Sequence, residues 1–219
     1  MAEILDRELK KLKKMVSTIS MNVEESMNKA IGSFIKHDSK LAKEVIEFDS
    51  TIDNLEIEIE EECLKILALH QPVAIDLRYI ISIMKINNDL ERIGDLATNI
   101  AHLVIMLEDK KRIDVHDIIP EMTDIVSRML KNSLDALFNK DVDLAIKVQK
   151  TDDDVDILHS KMFSHISERI KIDNDLFDCL MPMLSASRCL ERIADHCTNI
   201  AEDVEYLISG EITRHHHNS

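Results

Sequence analysis

The sequence contains an internal repeat, and this feature limits the possible folds more than any other. The segment LERIGDLATNIA at residues 90–101 matches LERIADHCTNIA at residues 190–201 in 9 of 12 positions. Upstream, FDSTID at residues 48–53 aligns with TDDDVD at residues 151–156. Because both pairs of segments keep nearly the same separation along the chain, they indicate a duplication in which two copies of one structural unit pack together.

Amphipathic helices are predicted through most of both copies, because apolar residues recur three and four positions apart. Helix breakers are rare, since Gly and Pro number only 3 each. In the first copy the apolar runs cover residues 5–34, 41–69 and 86–107, with Pro72 ending the second. In the second copy they cover residues 118–138, 144–166 and 183–207, with a polar break at 171–175 and a stop at Gly210.

The predicted fold is all-α, with two tandem antiparallel three-helix bundles. Three helices with short connections favour antiparallel neighbours and coiled-coil-like packing. We place the first bundle at residues 1–111 and the second at residues 112–210, joined by a charged connection. Residues 211–219 form a tail whose run of histidines, 215–217, is typical of a purification-tag remnant.

The charge of the chain argues against nucleic-acid binding. The formal net charge is -15 at pH 7 and the pI is near 5.0, whereas nucleic-acid binding needs a basic stripe that neutralises phosphates. An acidic surface suits cations or basic protein partners. No basic pocket for phosphate is evident. The dense basic cluster near the N-terminus is interpreted as a solvated helical surface; it consists of Lys10, Lys11, Lys13 and Lys14.

The cysteines and the hydropathy pattern favour the cytoplasm. None of the 4 cysteines forms a C-x-x-C pair, so we interpret them as reduced thiols. The N-terminus has no apolar signal segment, and no apolar run is long enough to span a bilayer. We therefore expect a cytoplasmic protein without a transmembrane segment.

Paired carboxylates are the candidate functional feature. Acidic residues four positions apart lie on one helix face, where their repulsion costs a few tenths of a kcal/mol. Such pairs recur at matched places in both copies, and an asparagine continues two of the stripes by one more turn. The first copy contains Asp49, Asp53, Glu91, Asp95 and Asn99; the second contains Asp152, Asp156, Glu191, Asp195 and Asn199.

We expect the carboxylates of each copy to converge, because the second and third helices of an antiparallel bundle are neighbours. Oxygen-only ligands favour Mg, Ca, Mn or iron. Glu91, Asp95 and Asn99 fall opposite the apolar stripe of their helix, so the sites should be open to solvent. Interior di-iron sites instead use Glu-x-x-His motifs that point into the core, and this chain has none.

Two simpler readings remain open for the acidic stripes. With 42 acidic residues, pairs four apart arise by chance on solvated faces, and Arg92 or Arg192 can pair with them. The matched set nevertheless favours a surface that binds cations or a partner. His159 and His196 lie near the motif, but their counterparts are Glu56 and Leu96, which argues against a shared ligand role. No phosphate loop or nucleophile motif indicates catalysis.

Two segments resemble the PhoU family of phosphate-uptake regulators. The segment HQPVAIDLRYIISIMKINNDLERIGDLATNIA, residues 70–101, is similar to the family's signature region, and SRCLERIADHCTNIAEDVEYL, residues 187–207, is similar to its second copy. The resemblance covers essentially the whole chain. It implies two three-helix bundles side by side and a non-enzymatic, cytoplasmic, negative regulator of high-affinity phosphate uptake and of the phosphate-starvation response.

The resemblance also implies partners and cofactors. The partners would be the ATPase subunit of the phosphate transporter and a phosphate-sensing histidine kinase, which would hold the chain at the inner face of the membrane; a homodimer is common. The family's E(D)-x-x-x-D motifs can bind multinuclear metal clusters, iron among them, and they map onto the four carboxylate pairs, so iron is the expected metal. Mg, Mn and Ca remain alternatives.

The second copy departs from this pattern. Residues 71–74 and the Asp76-Leu77-Arg78 segment have no equivalent there, where residues 175–178 read DLFD. The two halves are therefore expected to bind a metal or a partner unequally. Two alternatives to the regulator are a carboxylate-bridged metal enzyme or metal-storage bundle, and a helical scaffold that binds no metal.

Overall fold

A computed structural model describes residues 2–110 and 113–210, apart from the side chain of Ala2. Within these ranges the chain forms six long α-helices and one short 3-10 turn at Asn174–Leu176, and no strand. The boundary that we place between residues 111 and 112 and the tail at 211–219 lie outside the described residues. The helices are α1 (Ala2–Lys36), α2 (Ser39–His70), α3 (Ala74–Met106), α4 (Ile118–Asn139), α5 (Val142–Ile172) and α6 (Phe177–Ser209).

The predicted architecture of two antiparallel three-helix bundles is confirmed. Helices α1, α2 and α3 pack against one another, as do α4, α5 and α6, and the bundles meet mainly through α3 and α6. These two helices run antiparallel. Lys110, just after α3, donates to Asp178 at the start of α6 over 2.8 Å. At the opposite end, a Cβ added to Gly210 after α6 would lie 3.0 Å from Nη1 of Arg78 at the start of α3.

The helix ends follow from local chemistry. Asp38 caps α2 by accepting from the backbone N–H groups of residues 40 and 41, and Asp141 caps α5 by accepting from Leu144. Gln71 takes a left-handed conformation before Pro72, which cannot continue the helix. Gly210 ends α6 with φ 77°, as the sequence predicts, because glycine adopts this conformation without steric cost.

Helix α3 begins at Ala74, well before the apolar run at residues 86–107 that predicts it. Its first turns carry Ile75 and Leu77 on the exposed side and Ile80 and Ile83 in the core. Apolar residues on both faces obscure the helical period there, so the start of the helix is not visible as an amphipathic pattern.

The two copies differ by an exchange of volume between helices. A Cβ on Gly94 would lie 3.2 Å from Cδ1 and 3.3 Å from Cγ2 of Ile52, which is fully buried. At the corresponding positions the second copy has Ala194 and Val155, both buried. One methyl group has therefore moved from one helix to its neighbour, and the interior keeps nearly the same volume.

We expect strong coupling between Gly94→Ala and Ile52→Val. Ile52→Val alone should cost about 1 kcal/mol through the lost methyl group. Gly94→Ala gains about 1 kcal/mol of helix propensity but forces an overpacked contact costing about 1–3 kcal/mol. The double variant removes that contact, so its free energy of unfolding in urea should lie closer to wild type than the sum of the two single changes. Simple additivity would contradict this account of the packing.

The polar contacts between the bundles are not symmetric. Lys85 Nζ lies 3.1 Å from Oδ1 of the buried Asp203. Nearby, Asp89 Oδ1 lies 2.8 Å from His196 Nδ1 and accepts a hydrogen bond from Asn199 Nδ2 over 3.2 Å. In the other copy the places of Lys85, Asp203, Asp89 and His196 are held by neutral residues, which are Ser185, Leu103, Cys189 and Leu96 in that order. The polar contacts thus join the early turns of α3 to the late turns of α6.

Candidate metal centre

Three carboxylates of the first bundle meet in the groove between α2 and α3. Asp49 and Asp53 come from α2 and Asp95 from α3, and one carboxylate oxygen of each lies within 4.8 Å of the other two. Residues four apart share a helix face, which is why both α2 residues reach the same point. This spacing allows a single cation to contact all three side chains.

The groove is partly open to solvent. Asp53 is exposed, whereas Asp49, Glu91 and Asp95 are partly buried. The helical projection places the acidic stripe of the third helix away from the core and open to solvent, but packing of α2 beside α3 leaves Glu91 and Asp95 partly buried. Asn99, one turn beyond Asp95, is exposed.

Neighbouring side chains orient the first cluster. Thr98 Oγ1 donates to Asp49 Oδ1 over 3.0 Å. Arg92 donates from Nη1 to Asp95 Oδ2 over 3.1 Å, and its Nε lies 3.5 Å from Glu91 Oε2. Arg92 therefore offsets part of the negative charge, as the simpler reading of the stripe expects. Its side chain is about half exposed, so it can turn to solvent when a cation approaches.

The cluster has more negative charge than its surroundings neutralise. Burial raises the pKa of Asp49, and the charges of Asp53 and Asp95 raise it further, while the hydrogen bond from Thr98 lowers it. Burial also raises the pKa of Glu91, with repulsion from Asp95 as the next cause. Because burial and mutual repulsion disfavour the charged forms of these carboxylates, a cation that neutralises them stabilises the cluster.

Glu56 adds a further carboxylate that lies outside the four matched pairs. Burial raises the pKa of Glu56, and the charges of Glu60 and Asp53 add to the shift. Asn87 Nδ2 donates to the backbone oxygen of Glu56 over 2.9 Å and lies 3.4 Å from Glu56 Oε1. Glu56 follows Asp53 by three positions, which also places the two on one helix face, so a wider search of the sequence would have found it.

In the second bundle the equivalent carboxylates also lie near one another, but they are less closely grouped than in the first. Burial raises the pKa of Asp152 to about 7, with the charges of Asp195 and Asp156 as the next causes. The pKa of Glu191 and that of Asp195 are also raised, first by burial and then by neighbouring acids. Within residues 2–110 and 113–210, however, only the first cluster brings three such oxygens within 4.8 Å. The two halves therefore differ in the geometry of their carboxylates, and unequal binding of a metal or a partner stays a prediction.

Two substitutions also change the surroundings of the carboxylates in the second bundle. His159 stands where the first copy has Glu56, and its Nδ1 lies 2.9 Å from Ser187 Oγ, which replaces the Asn87 amide. His159 also lowers the pKa of Glu191. The second site thus offers an imidazole where the first offers a carboxylate, and imidazole suits Zn, Cu, Fe or Ni.

Thr198 and Asn199 of α6 form no hydrogen bond with the carboxylates that the structure describes in the second bundle. Thr198 Oγ1 is buried and has no hydrogen-bond partner among the described residues, whereas its counterpart Thr98 binds the cluster. Asn199 is exposed and donates to Asp89 across the bundle interface. The amide predicted to extend the second metal stripe therefore holds the two bundles together in this structure.

We expect Asp152→Asn to stabilise the metal-free protein above pH 7. The folded pKa of about 7 exceeds the usual value of 3.8; between these values the folded chain binds more protons than the unfolded one, so stability falls as the pH rises. Asparagine removes this penalty. Discounted for partial exposure, the gain is about 1–2 kcal/mol, or a Tm increase of about 2–6 °C.

Thermal unfolding in the presence of a chelator at pH 4 and at pH 8 measures this effect. The Tm difference between Asp152→Asn and wild type should be present at pH 8 and disappear near pH 4. Asp124→Asn, at an exposed position on α4, is a control for the loss of one charge. An equal gain at both pH values would show that burial and repulsion of Asp152 are not its cause.

Comparison with known proteins gives a consistent result. A model of the PhoU domain matches residues 16–104 and residues 119–204. Homolog 1 of the phosphate-specific transport system accessory protein PhoU from Thermotoga maritima is 38% identical over 207 residues, which cover 94% of this chain and 89% of the relative. PhoU from Escherichia coli K12, with the same description, is 31% identical over 208 residues, covering 95% of this chain and 86% of the relative.

Solved structures agree with the sequence comparison. The crystal structure of PhoU from Pseudomonas aeruginosa matches with a TM-score of 0.91 and 37% identity, covering 94% of this chain and 99% of that chain. The phosphate transport system regulatory protein PhoU from Streptococcus pneumoniae matches with a TM-score of 0.85 and 30% identity, covering 95% and 98%. Both halves of this chain therefore have the same fold as these proteins and are similar to them in sequence.

Proposed function

Because this chain belongs to the PhoU family, we propose that it is a negative regulator of high-affinity phosphate uptake and of the phosphate-starvation response. The observation that carries this proposal is the match of both halves to the PhoU domain, together with similarity along nearly the whole length of proteins named as accessory or regulatory components of phosphate transport. We propose that it acts by binding other proteins of phosphate transport and signalling.

We infer that the partners are the ATPase subunit of the phosphate transporter and a phosphate-sensing histidine kinase. Among the described residues, no helix has the length and apolar composition needed to cross a membrane. Contact with the membrane would therefore run through these partners, at the cytoplasmic face. The exposed faces of the long helices α2 and α5 offer extended surfaces for such contacts, and we propose a homodimer as the active form.

A bound cation would complete the carboxylate groove. Asp49, Asp53 and Asp95 are the residues that would hold it, with Glu91 alongside, and all four supply hard oxygen donors. Iron is the cation that we propose, and Mg, Mn and Ca suit the same donors. The cation would supply positive charge that removes the repulsion between α2 and α3 and offers an acidic side chain of a partner a point of attachment.

The regulator accounts for the site better than a metal enzyme or storage bundle does. The carboxylates lie in a groove where Asp53 is exposed, whereas reactive intermediates require a site closed to water. Similar proteins are named as accessory and regulatory components. Elemental analysis and metal titration of the purified protein distinguish this regulator from a scaffold without metal.

A complementation experiment tests the proposed regulation. In a strain that lacks this gene, a reporter of the phosphate-starvation response should be active even in high phosphate, and the wild-type gene should repress it. Purified wild-type chain should also bind the cognate transporter ATPase subunit in a pull-down. The proposal is wrong if the deletion leaves the reporter unchanged and the intact chain binds no ATPase subunit at either high or low phosphate.

Metal-site variants separate the role of the cation from that of the fold. Asp53→Asn with Asp95→Asn should repress the reporter less well than wild type if the bound cation supports docking. Glu121→Gln with Asp124→Asn removes the same number of charges from the exposed face of α4 and should repress normally. Full repression by both double variants would remove the cation from the regulatory mechanism while leaving the proposed regulator intact.

A further inference from the structure

A cavity of about 380 Å³ lies where the two bundles meet, at the end of the molecule that holds the start of α3 and the end of α6. Helices α1, α3, α4 and α6 all contribute to its wall. Its inner surface is mainly apolar, with Ile83, Leu137 and Leu207 buried in the core behind it. The carboxylate grooves involve α2 and α5, neither of which contributes to the wall, so this cavity is a separate feature.

Cationic side chains line this cavity although the chain as a whole is acidic. Four basic residues and a single acidic one contribute to the wall: Lys10, Lys13, Arg78, Lys140 and Asp76. Lys10 is paired with Asp6 over 2.6 Å. The other three basic residues make no ion pair with any described residue, so the wall keeps an excess of positive charge. In a chain with a net charge of -15, this excess is local and does not reflect composition.

Arg78 has an unused hydrogen-bond donor at this position. Its Nε is buried and has no hydrogen-bond partner among the described residues. The guanidinium rests against Gly210, where a Cβ would lie 3.0 Å from Nη1 and 3.3 Å from Cζ. A side chain at position 210 would crowd the guanidinium, so glycine both ends α6 and leaves room for Arg78. A buried donor without a partner is costly, and since Arg78 belongs to the cavity wall, an anion bound there would interact with the guanidinium charge.

We propose that this cavity binds a small amphipathic anion, with its carboxylate or phosphate group at Arg78, Lys13 and Lys140 and its apolar body against Ile83 and Leu207. The volume of about 380 Å³ accommodates roughly a dozen non-hydrogen atoms, at about 30 Å³ for each water-sized group. Ligand sites of this size usually combine an apolar wall with a few polar groups that fix orientation. Guanidinium groups bind both carboxylate and phosphate through paired hydrogen bonds.

Such a ligand would contact both bundles at once. Leu9 and Ile83 belong to the first bundle, and Leu137 and Leu207 belong to the second. A molecule bound between them would resist separation of the bundles, and its binding would raise the stability of the folded chain. The inference is independent of the carboxylate grooves and of the proposed role in phosphate uptake.

Decanoate is a suitable probe, because it combines one carboxylate with an alkyl chain of fitting size. Calorimetric titration of the full chain should give one site with a dissociation constant of tens of micromolar, on the order expected for a ligand of a dozen atoms. Decanol, which lacks the charge, and inorganic phosphate, which lacks the apolar body, should each bind at least about tenfold more weakly.

Charge variants locate the binding. Arg78→Gln should weaken decanoate binding at least about tenfold, since it removes the guanidinium charge that would pair with the carboxylate. Lys13→Gln with Lys140→Gln, both at exposed positions, should weaken it without disturbing the core. Arg128→Gln, at an exposed position of α4 outside the cavity wall, should bind decanoate as wild type does.

Several outcomes would overturn the proposal. Decanoate that binds no more tightly than decanol would show that the cationic groups have no role. Inorganic phosphate that binds as tightly as decanoate would make the cavity a simple anion site. Undiminished binding by both Arg78→Gln and the double lysine variant would place decanoate elsewhere on the molecule.

Discussion

Replacing Asp53 and Asp95 together with asparagine should reduce the affinity of the first bundle for its cation by at least about a hundredfold. These side chains supply two of the three oxygens that lie within 4.8 Å of one another. Loss of groups that only support metal ligands already costs about 10–100-fold in affinity, and direct ligands contribute more. Elemental analysis of protein purified without a histidine tag, followed by equilibrium titration with iron, manganese and magnesium, measures the change.

The second bundle provides an internal control for this result. Asp156→Asn with Asp195→Asn should leave the metal bound at the first bundle unchanged, because those residues belong to α5 and α6. Glu121→Gln with Asp124→Asn controls for the loss of two charges on an exposed face. If wild-type protein remains metal-free after exposure to all three metals, the acidic stripes are better described as a protein-docking surface, and the proposed cation should be abandoned.

Lys85→Met should destabilise the folded chain by about 3 kcal/mol. Asp203 is almost fully buried at the bundle interface, and its Oδ1 lies 3.1 Å from Lys85 Nζ. Removing one member of a buried ion pair costs about 3–5 kcal/mol, because the other charge stays in a poorly solvated place. Lys85 is partly exposed, so we expect the lower end of that range. The corresponding fall in Tm is about 6–12 °C.

Urea unfolding of three variants tests this explanation. Lys43→Met changes an exposed lysine whose nearest acid, Glu108, is 3.9 Å away, and should have little effect because exposed pairs contribute little. Lys85→Met combined with Asp203→Leu removes both charges and should recover much of the lost stability. If Lys85→Met costs less than about 1 kcal/mol, the ion pair does not anchor the interface.

Much of the fold follows from short-range patterns in the sequence. Apolar spacing gives the helices, Pro72 and Gly210 mark two of their ends, and the repeated LERI segments give two copies of one bundle. The partial exposure of the acidic stripe follows from the same spacing. These features depend on residues a few positions apart, which is the range over which helical geometry is fixed.

Features that depend on contacts between distant segments could not be predicted in this way. Arg78 and Lys140 line the same cavity only because the two bundles dock, mainly through α3 with α6 and also through α1 with α4. Lys13 likewise belongs to a cluster that the sequence suggests is merely solvated, yet it lines the same cavity. Their proximity depends on how two bundles dock, and one sequence contains no direct signal for that.

The difference between the two carboxylate groups was only partly predictable. The missing QPVA equivalent indicates that the halves are unequal, but it does not show where. The structure adds two contacts that differ between the copies: Thr98 with Asp49 in the first, and His159 with Ser187 in the second. Each joins two helices, so it becomes visible only when their relative positions are known.

The one-sided placement of polar contacts between α3 and α6 has an evolutionary consequence. If two copies of the first bundle docked through this face, Lys85 of one would meet Leu103 of the other, because Leu103 holds the place of Asp203. Self-pairing of the first half through this face would therefore leave Lys85 without the carboxylate that it contacts here, and self-pairing of the second half would place Asp203 opposite Ser185. The two halves are thus complementary at this face, so exchange of single halves between relatives should be tolerated less well than exchange of whole chains.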